Sequence, residues 1–390
     1  MAPMVPLPLC TLSRRMVTGG VGGVGCRVDG LSHFKRLCKL VSPWCQFSAS
    51  ASLASAAPTL TAPVVPPGRR PPPAGWTPVL HSHDVKTIAA QAQQFGTDAT
   101  FWSEHTRTIA ILHGLFGSGR NWRSVGSALG KALAERDTQH SWRVVLVDQR
   151  CHGASTQAYD APAPHTLDAS AEDVADFFEK SGIEPDILLG HSLGGKVALA
   201  YLDGDKRVMP KCTFVLDSAP FSKHDCPDLG DLHGTFSTLN VLRELPDVVP
   251  SRKWLHDTLA PRGMSVDLIN WLGTNLVAPE GQGSPEPMVW QWNFAGCESL
   301  FQSYVDTCHW ETLTRSANSS DASAELVIAQ RTFDDWPANQ KARLSSLPSH
   351  AHHVLPKSGH WLHVDNPKGL VELLMARICD KMSIPAIQPS

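Results

Sequence analysis

Three features that would define other classes of protein are lacking in this 390-residue sequence. No segment approaches the run of about 18 apolar residues that a membrane-spanning helix needs. The net charge is only -3, so the sequence offers no electrostatic footprint for nucleic acid. None of the ten cysteines belongs to a C-x-x-C pair, which disfavours a zinc ribbon and a dense disulfide framework. We therefore expect a soluble protein with reduced thiols and no nucleic-acid partner.

Motifs for nucleotides and metals are missing as well. No G-x-G-x-x-G motif follows a predicted strand and no Walker A motif occurs, so nucleotide binding has no support. His350, His352 and His353 are close in sequence, but their spacing across the start of a strand does not place them on one face. No carboxylate motif accompanies them. We expect neither a cofactor nor a metal ion.

Acidic residues are almost absent from the first 75 residues, where Asp29 is the only one. An acid-poor, Arg- and Ser-rich N-terminus is typical of mitochondrial or plastid transit peptides, and no uninterrupted apolar region of a secretory signal occurs. We expect residues 1–75 to be an organelle transit peptide, with a disordered low-complexity arm as the alternative. Residues 76–390 are then the folded domain. The basic residues of the segment are Arg14, Arg15, Arg27, Lys35, Arg36, Lys39, Arg69 and Arg70.

From about residue 76 onward, short β-rich runs alternate with helical patterns. This alternation predicts an α/β fold with a mainly parallel central sheet flanked by helices. The runs are nearly continuously apolar, as burial on both faces of the sheet requires. One helix is predicted to start with Ser170 as its N-cap and to end at Gly182. The predicted strands cover residues 108–112, 142–147, 186–189, 212–216, 325–329 and 352–355.

The interval from about 220 to 321 breaks this alternation, because it has helical patterns, such as residues 236–245 and 251–259, but no clear strand. An insertion of this size predicts a helical cap over the sheet edge, with peripheral helices of no binding role as the alternative. Its aromatic residues favour a hydrophobic acyl or lipid-like substrate, although they also suit simple packing. They are Phe221, Trp254, Trp271, Trp290, Trp292 and Phe294.

Residues Gly190–Gly194 match the motif G-x-S-x-G, in which a serine at a sharp strand-to-helix turn projects its oxygen clear of the backbone. A predicted strand precedes the motif and residues 196–202 form a helical pattern after it, so the required context is present. A glycine-rich packing turn is the alternative. We expect Ser192 to be a nucleophile.

A serine nucleophile needs a base and a residue that orients the base. His360 directly follows the last predicted strand, where the base falls in the chain order Ser…Asp…His, whereas His363 is expected at a helix start or on the surface. The acid stays open, because Asp217 ends one strand and Asp334, beside Asp335, follows another. Spacing alone does not separate these carboxylates.

The oxyanion of a tetrahedral intermediate needs backbone N–H groups that are already in place. One donor is expected at Leu193, the residue after the nucleophile. The other is expected from the Gly-rich loop His113–Gly119 after an earlier strand, and we assign it to Leu115. The alternative for this loop is a simple flexible turn.

Together these segments resemble the α/β-hydrolase superfamily, and in particular the esterase branch around α/β-hydrolase domain-containing protein 11. The resemblance extends from about residue 105 to 378. Three cap segments, 251–252, 274–277 and 290–293, are similar to the cap of that branch. The four core segments that carry it are His113–Ser118, Asp148–Ser155, Gly190–Ala198 and Ser358–His363.

The resemblance implies hydrolysis of carboxylic esters and residence in the mitochondrion. It also ranks Asp217 ahead of Asp334 as the acid, because Asp217–Pro220 corresponds to a carboxylate segment of the branch. Residues 330–333 and 279–287 depart from the branch, which leaves the shape of the pocket open. The alternatives are a thioesterase or amidase with the same triad, or a ligand receptor on the same fold that does not turn over its ligand.

Overall fold

The computed structural model describes residues 80–87, 106–158, 161–204, 207–226, 234–279 and 286–385. The predicted transit peptide, residues 1–75, lies outside the described residues. None of the helices in the described ranges is long and apolar enough to cross a bilayer.

The centre of the described chain is a seven-stranded sheet in the order β1-β3-β2-β4-β5-β9-β10. β1 pairs antiparallel with β3, and the other six strands are parallel. The predicted mainly parallel sheet is therefore confirmed. Its strands are β1 (His81–Thr87), β2 (Thr106–Leu112), β3 (Ser141–Asp148), β4 (Ile187–His191), β5 (Cys212–Leu216), β9 (Ser323–Ala329) and β10 (His352–Leu355).

Helices cover both faces of this sheet, because successive strand residues point to opposite sides. Ile109 and Ile111 of β2 pack in one buried cluster with the helices Arg123–Arg136 and Pro367–Lys381. Ala110 and Leu112 pack in the other cluster with the helices Leu167–Ser181 and Leu193–Asp203. The helices outside the β5–β9 interval are α1 (Arg123–Arg136), α2 (Ser155–Ala158), α3 (Leu167–Ser181), α4 (Leu193–Asp203), α10 (Gln330–Asp335), α11 (Ala338–Leu344), α12 (Leu362–Asp365) and α13 (Pro367–Lys381).

The start of α3 differs from the prediction. Its N-cap is Thr166, whose side chain accepts a hydrogen bond from the Ala169 amide, and Ser170 lies inside the helix. Both residues are good N-caps by type. The extra turn buries Leu167 in the core, which the local cap signal alone does not show. The helix ends as predicted at Gly182, which adopts a left-handed conformation with φ 59°.

The interval between β5 and β9 contains helices, as predicted, but it also contains three short strands. Met288–Trp290 lies between Val248–Val249 and Leu276–Val277 in a small antiparallel sheet, so the prediction of no strand was wrong. Strands of two or three residues are too short to produce a visible sequence period. The elements are α5 (Thr235–Leu242), β6 (Val248–Val249), α6 (Arg252–Leu259), α7 (Val266–Gly273), β7 (Leu276–Val277), β8 (Met288–Trp290), α8 (Phe294–Asp306) and α9 (Trp310–Ala317).

Candidate active site

Ser192 occupies a sharp turn between β4 and α4. Its backbone has φ 51° and ψ -116°, a conformation that few non-glycine residues adopt. The glycines two residues before and after it allow close backbone passage. A Cβ atom on Gly190 would lie 2.2 Å from the Gly194 carbonyl oxygen, and one on Gly194 would lie 2.5 Å from the Leu112 carbonyl oxygen. The sequence motif therefore encodes a turn that only glycine at both positions permits.

His360 and Asp217 complete a hydrogen-bonded chain that begins at Ser192. His360 follows β10, and its Nε2 lies 3.0 Å from Ser192 Oγ. Its Nδ1 lies 2.8 Å from Asp217 Oδ2. The carboxylate only accepts, so Nδ1 carries the proton and Nε2 is left to accept from the serine hydroxyl. Burial lowers the pKa of His360 below its ordinary value, which keeps the imidazole neutral at pH 7.

Of the two carboxylates predicted as the acid, the structure brings only Asp217 to His360. Asp217 is buried at the end of β5, and its carboxylate also accepts from the Ala329 amide at 2.8 Å and from Thr332 Oγ1 at 2.9 Å. Asp334 lies on an exposed part of α10, where it accepts from Gln330 Nε2. Strand order does not separate the two, because β5 and β9 are neighbours that end at the same edge of the sheet. They differ because Asp217 directly follows its strand, whereas Asp334 lies in α10.

His363 was expected at a helix start or on the surface; it is the second residue of α12, as the first expectation has it, and it is buried. Its ring stacks on Trp122 with 4.3 Å between ring centroids, and both residues line the cleft above Ser192. Burial, followed by the nearby rings of His191 and His360, lowers the pKa of His363 well below its usual value. His191 also escaped the sequence analysis; its Nε2 lies 2.7 Å from the His360 carbonyl oxygen.

Leu115 and Leu193, the two predicted amide donors, both line the cleft beside Ser192. The next amides of the Leu115 loop are engaged elsewhere. The Phe116 N–H donates to His152 Nε2 at 3.0 Å, and the Gly117 N–H donates to the Gly114 carbonyl at 3.0 Å. This pattern agrees with the assignment of Leu115 as the donor from this loop.

Two buried histidines hold this loop in place through hydrogen bonds. His113 Nε2 accepts from the Gln149 amide at 3.1 Å, and its Nδ1 donates to the Gly114 carbonyl at 2.8 Å. His152 accepts from Phe116 and donates from Nδ1 to the Arg150 carbonyl at 2.8 Å. Burial lowers the pKa of both rings, for His152 to about 3. Both therefore remain neutral, as these acceptor roles require.

The cleft above Ser192 has an empty volume of about 710 Å³, which includes its opening to solvent. Of the cap aromatics named from the sequence, Trp271 lines it, whereas Trp292 and Phe294 pack on the ring of Phe116. Thr235 and Thr238 of α5 add two hydroxyl groups. The other Phe, Tyr and Trp side chains that line the cleft were not predicted from the sequence to do so: Phe116, Trp122, Phe301, Tyr304 and Trp361.

Lys196, one helical turn after Ser192, is fully buried. Its ammonium donates to three carbonyl oxygens: those of Phe221 at 2.9 Å, Tyr304 at 2.6 Å and Thr307 at 2.6 Å. Two of these carbonyls belong to the C-terminal end of α8, whose dipole favours a cation. Burial nevertheless lowers the pKa of Lys196 to about 7. The lysine thus joins the helix that follows the nucleophile to a wall of the cleft.

No group of three or more His, Cys, Asp or Glu side chains suited to a metal ion occurs in the described part of the chain. Of the three histidines considered from the sequence, His350 and His353 have separate hydrogen-bond partners. His350 Nε2 lies 3.3 Å from the Ala317 carbonyl, whereas His353 Nε2 lies 2.8 Å from Glu325 Oε2.

The fold and this site define an α/β hydrolase. A family model described as the alpha/beta hydrolase family matches residues 109–373, and the chain belongs to that family. The sn-1-specific diacylglycerol lipase ABHD11 of Mus musculus is 27% identical over 267 residues, covering 68% of this chain and 78% of the relative. The predicted resemblance to this branch is therefore confirmed.

Two further comparisons agree with this family. Esterase YbfF of Escherichia coli is 24% identical over 287 residues, covering 72% of this chain and 97% of the relative. Among solved structures, a marine microorganism esterase has a TM-score of 0.56 at 20% identity, covering 77% of this chain and 99% of that chain. This last similarity supports the fold.

Proposed function

We propose that the protein is a serine hydrolase that cleaves carboxylic esters through an acyl-enzyme. The observation that carries the proposal is the continuous hydrogen-bonded chain from Ser192 Oγ through His360 to Asp217. Ser192 Oγ attacks the ester carbonyl, and His360 Nε2 takes the hydroxyl proton. Asp217 holds the required tautomer and stabilises the imidazolium that forms.

The negative charge of the tetrahedral intermediate lies on the former carbonyl oxygen, where the amides of Leu115 and Leu193 donate to it. Collapse of this intermediate breaks the ester C–O bond, and the leaving alcohol takes the proton from His360. Water then attacks the acyl-enzyme with His360 as base and releases the acid. No cofactor takes part in these reaction steps.

The substrate class we propose is an ester with a hydrophobic acyl group or a lipid-like substrate. The cleft wall is largely apolar and aromatic, with Leu115, Trp271, Phe301 and Trp361 among its lining residues. Apolar lining of this kind favours the burial of hydrocarbon. The names of the relatives, a diacylglycerol lipase and an esterase, are in keeping with this class.

The first test combines fluorophosphonate labelling with turnover of p-nitrophenyl esters of increasing acyl length. We expect labelling and turnover in the unmutated chain, loss of both in Ser192→Ala, and strongly slowed labelling in His360→Ala. Thioester and amide analogues of the best ester test the thioesterase and amidase alternatives. A single equivalent of bound product without turnover would favour a receptor, and unchanged labelling in Ser192→Ala would contradict the mechanism.

We also propose that residues 1–75 direct the chain to the mitochondrion. The support is the eight basic residues against one acidic residue in this segment. Import into isolated mitochondria, with plastids in parallel, tests the proposal. Uptake by mitochondria that is lost on deletion of residues 1–75 is expected, and uptake by plastids alone would contradict it.

A further inference from the structure

Phe116, the residue after the proposed oxyanion donor Leu115, is held from both the core and the cap. It has φ 55°, a left-handed conformation that is unfavourable for an aromatic residue. Such a conformation persists only when its surroundings impose it. The core supplies one restraint, the hydrogen bond from the Phe116 amide to His152 Nε2.

The cap supplies the second restraint through Asn275, which lies between α7 and β7. Its side-chain Nδ2 donates to the Phe116 carbonyl oxygen at 2.8 Å, although the two residues are 159 positions apart. Asn275 is buried, and its own backbone is fixed within the cap. The backbone N–H of Asn275 donates to the Leu272 carbonyl at 3.0 Å, and its backbone carbonyl accepts from the Gln291 N–H at 2.7 Å.

The cap also packs on the Phe116 ring. Trp292 lies 4.8 Å away between ring centroids, and Phe294 stacks nearly parallel at 6.1 Å. Trp292 lies in the segment that joins β8 to α8, and Phe294 is the first residue of α8. Aromatic pairs at such distances stabilise a fixed ring position. Phe116 therefore has its amide in contact with the core and its carbonyl and ring in contact with the cap.

Two planar peptide units connect the hydrogen bond of Asn275 to the Leu115 N–H. The Phe116 carbonyl and the Gly117 N–H belong to the same planar peptide, so fixing one fixes the other. The Gly117 N–H donates to the Gly114 carbonyl at 3.0 Å. That carbonyl shares its own planar peptide with the Leu115 N–H, which must point in the opposite direction. The orientation of the Leu115 N–H is therefore set by two donors to the Gly114 carbonyl: His113 Nδ1 from the core, and the Gly117 N–H, whose peptide Asn275 holds from the cap.

We propose that Asn275 is a positioning residue through which the cap assembles the oxyanion hole. The inference rests on the proposed serine-hydrolase function. The cap then does more than enclose the acyl group, because the oxyanion hole reaches its working geometry only when the cap is seated on Phe116. Loss of the Asn275 donor lowers stabilisation of the transition state and leaves ground-state binding of the ester nearly unchanged.

The test compares Asn275→Ala and Asn275→Asp with the unmutated chain. The aspartate keeps the size of the side chain but places an acceptor against the Phe116 carbonyl. End-point labelling with a fluorophosphonate counts the active sites, and kcat for a soluble p-nitrophenyl ester is expressed per labelled site. We expect kcat to fall about tenfold in Asn275→Ala and further in Asn275→Asp, with KM within about twofold. Binding of an alkyl boronic acid, an analogue of the tetrahedral intermediate, weakens in parallel with kcat.

Ser251→Ala is the matched control, because Ser251 caps α6 in the same cap and accepts from the Trp254 amide without contacting the loop. It lowers cap stability and leaves kcat per labelled site and boronic-acid affinity unchanged. Unchanged kcat and affinity in both Asn275 variants, with an active unmutated enzyme, would overturn the inference and leave the proposed function standing. An unmutated chain that neither labels nor turns over contradicts the proposed function, and the inference with it.

Discussion

Three hydrogen bonds hold the carboxylate of Asp217 in place. Its side chain accepts from His360 Nδ1, from Thr332 Oγ1 and from the Ala329 amide. In Asp217→Asn, the side-chain NH2 group would face one of these hydrogen-bond donors, and no hydrogen bond could form there. The imidazole would then favour the tautomer with its proton on Nε2, which no longer accepts from Ser192.

We predict that Asp217→Asn lowers kcat by about three orders of magnitude, with a much smaller change in KM. Hydrolysis of a p-nitrophenyl ester measures both constants. Asp334→Asn is the control, because Asp334 is exposed and contacts Gln330 instead of the imidazole. Equal losses in the two variants would contradict the assignment of Asp217.

At this scale, the sequence predicts what is local and leaves out what depends on distant chain segments. Ser192, His360 and the loop of Leu115 follow from short motifs, because each motif encodes its own turn. The choice between Asp217 and Asp334 needed the resemblance to a family, since the contact between Asp217 and His360 spans 143 positions. Asn275 belonged to a segment already noted in the cap, but no sequence pattern indicates its bond to Phe116.

Among the helices, the buried side chain of Lys196 connects α4 to the C-terminal end of α8. Its ammonium satisfies three carbonyl oxygens, two of them at the end of α8. Lys196→Met keeps the length of the side chain but leaves these carbonyls without their donor. We predict that the free energy of unfolding falls by about 3 kcal/mol, measured by urea denaturation.

Lys180→Met is the matched control for this prediction. Lys180 is an exposed lysine of α3 that pairs with Asp176 one turn away. Such surface pairs contribute little, so its loss changes the free energy of unfolding by less than about 0.5 kcal/mol. A loss in Lys196→Met no greater than in this control would show that the three carbonyls do not depend on the lysine.

The elements of the fold were predictable where they carry an apolar pattern, and the seven-residue strand β1, whose sequence is mostly polar, was not predicted. The parallel strands of the sheet and the helix α4 were found, because their apolar patterns extend over several residues. The strands β6, β7 and β8 were missed, since two or three residues carry no period. Their pairing nevertheless sets the position of Asn275, because the Gln291 amide after β8 donates to its carbonyl. The three short strands, which the sequence does not reveal, thus fix the residue through which the cap contacts the loop of Leu115.

For the molecule as a whole, a buried carboxylate joins the last two strands of the sheet to the C-terminal helix. Glu325 of β9 accepts two hydrogen bonds from Arg377 of α13, at 2.8 and 2.9 Å, and a third from His353 of β10 at 2.8 Å. Burial alone would raise the pKa of this carboxyl. The hydrogen bonds and charges of Arg377 and His353 outweigh burial and hold the pKa of Glu325 at about 2.

A carboxyl group whose pKa is lower in the folded than in the unfolded state stabilises the fold above the unfolded value, near 4.5. This contribution is lost as the pH falls from there toward 2. We predict that Glu325→Gln lowers the free energy of unfolding by about 3 kcal/mol at pH 7. The difference from the unmutated chain shrinks as the pH falls below 4.5. Urea denaturation at pH 7, 4 and 3 measures it.

Glu372→Gln, at an exposed position of α13 that faces Lys368 at 3.7 Å, is the control and changes little at any pH. If the free energy of unfolding fell equally with pH in Glu325→Gln and in the unmutated chain, the charge on Glu325 would not hold α13 to the sheet.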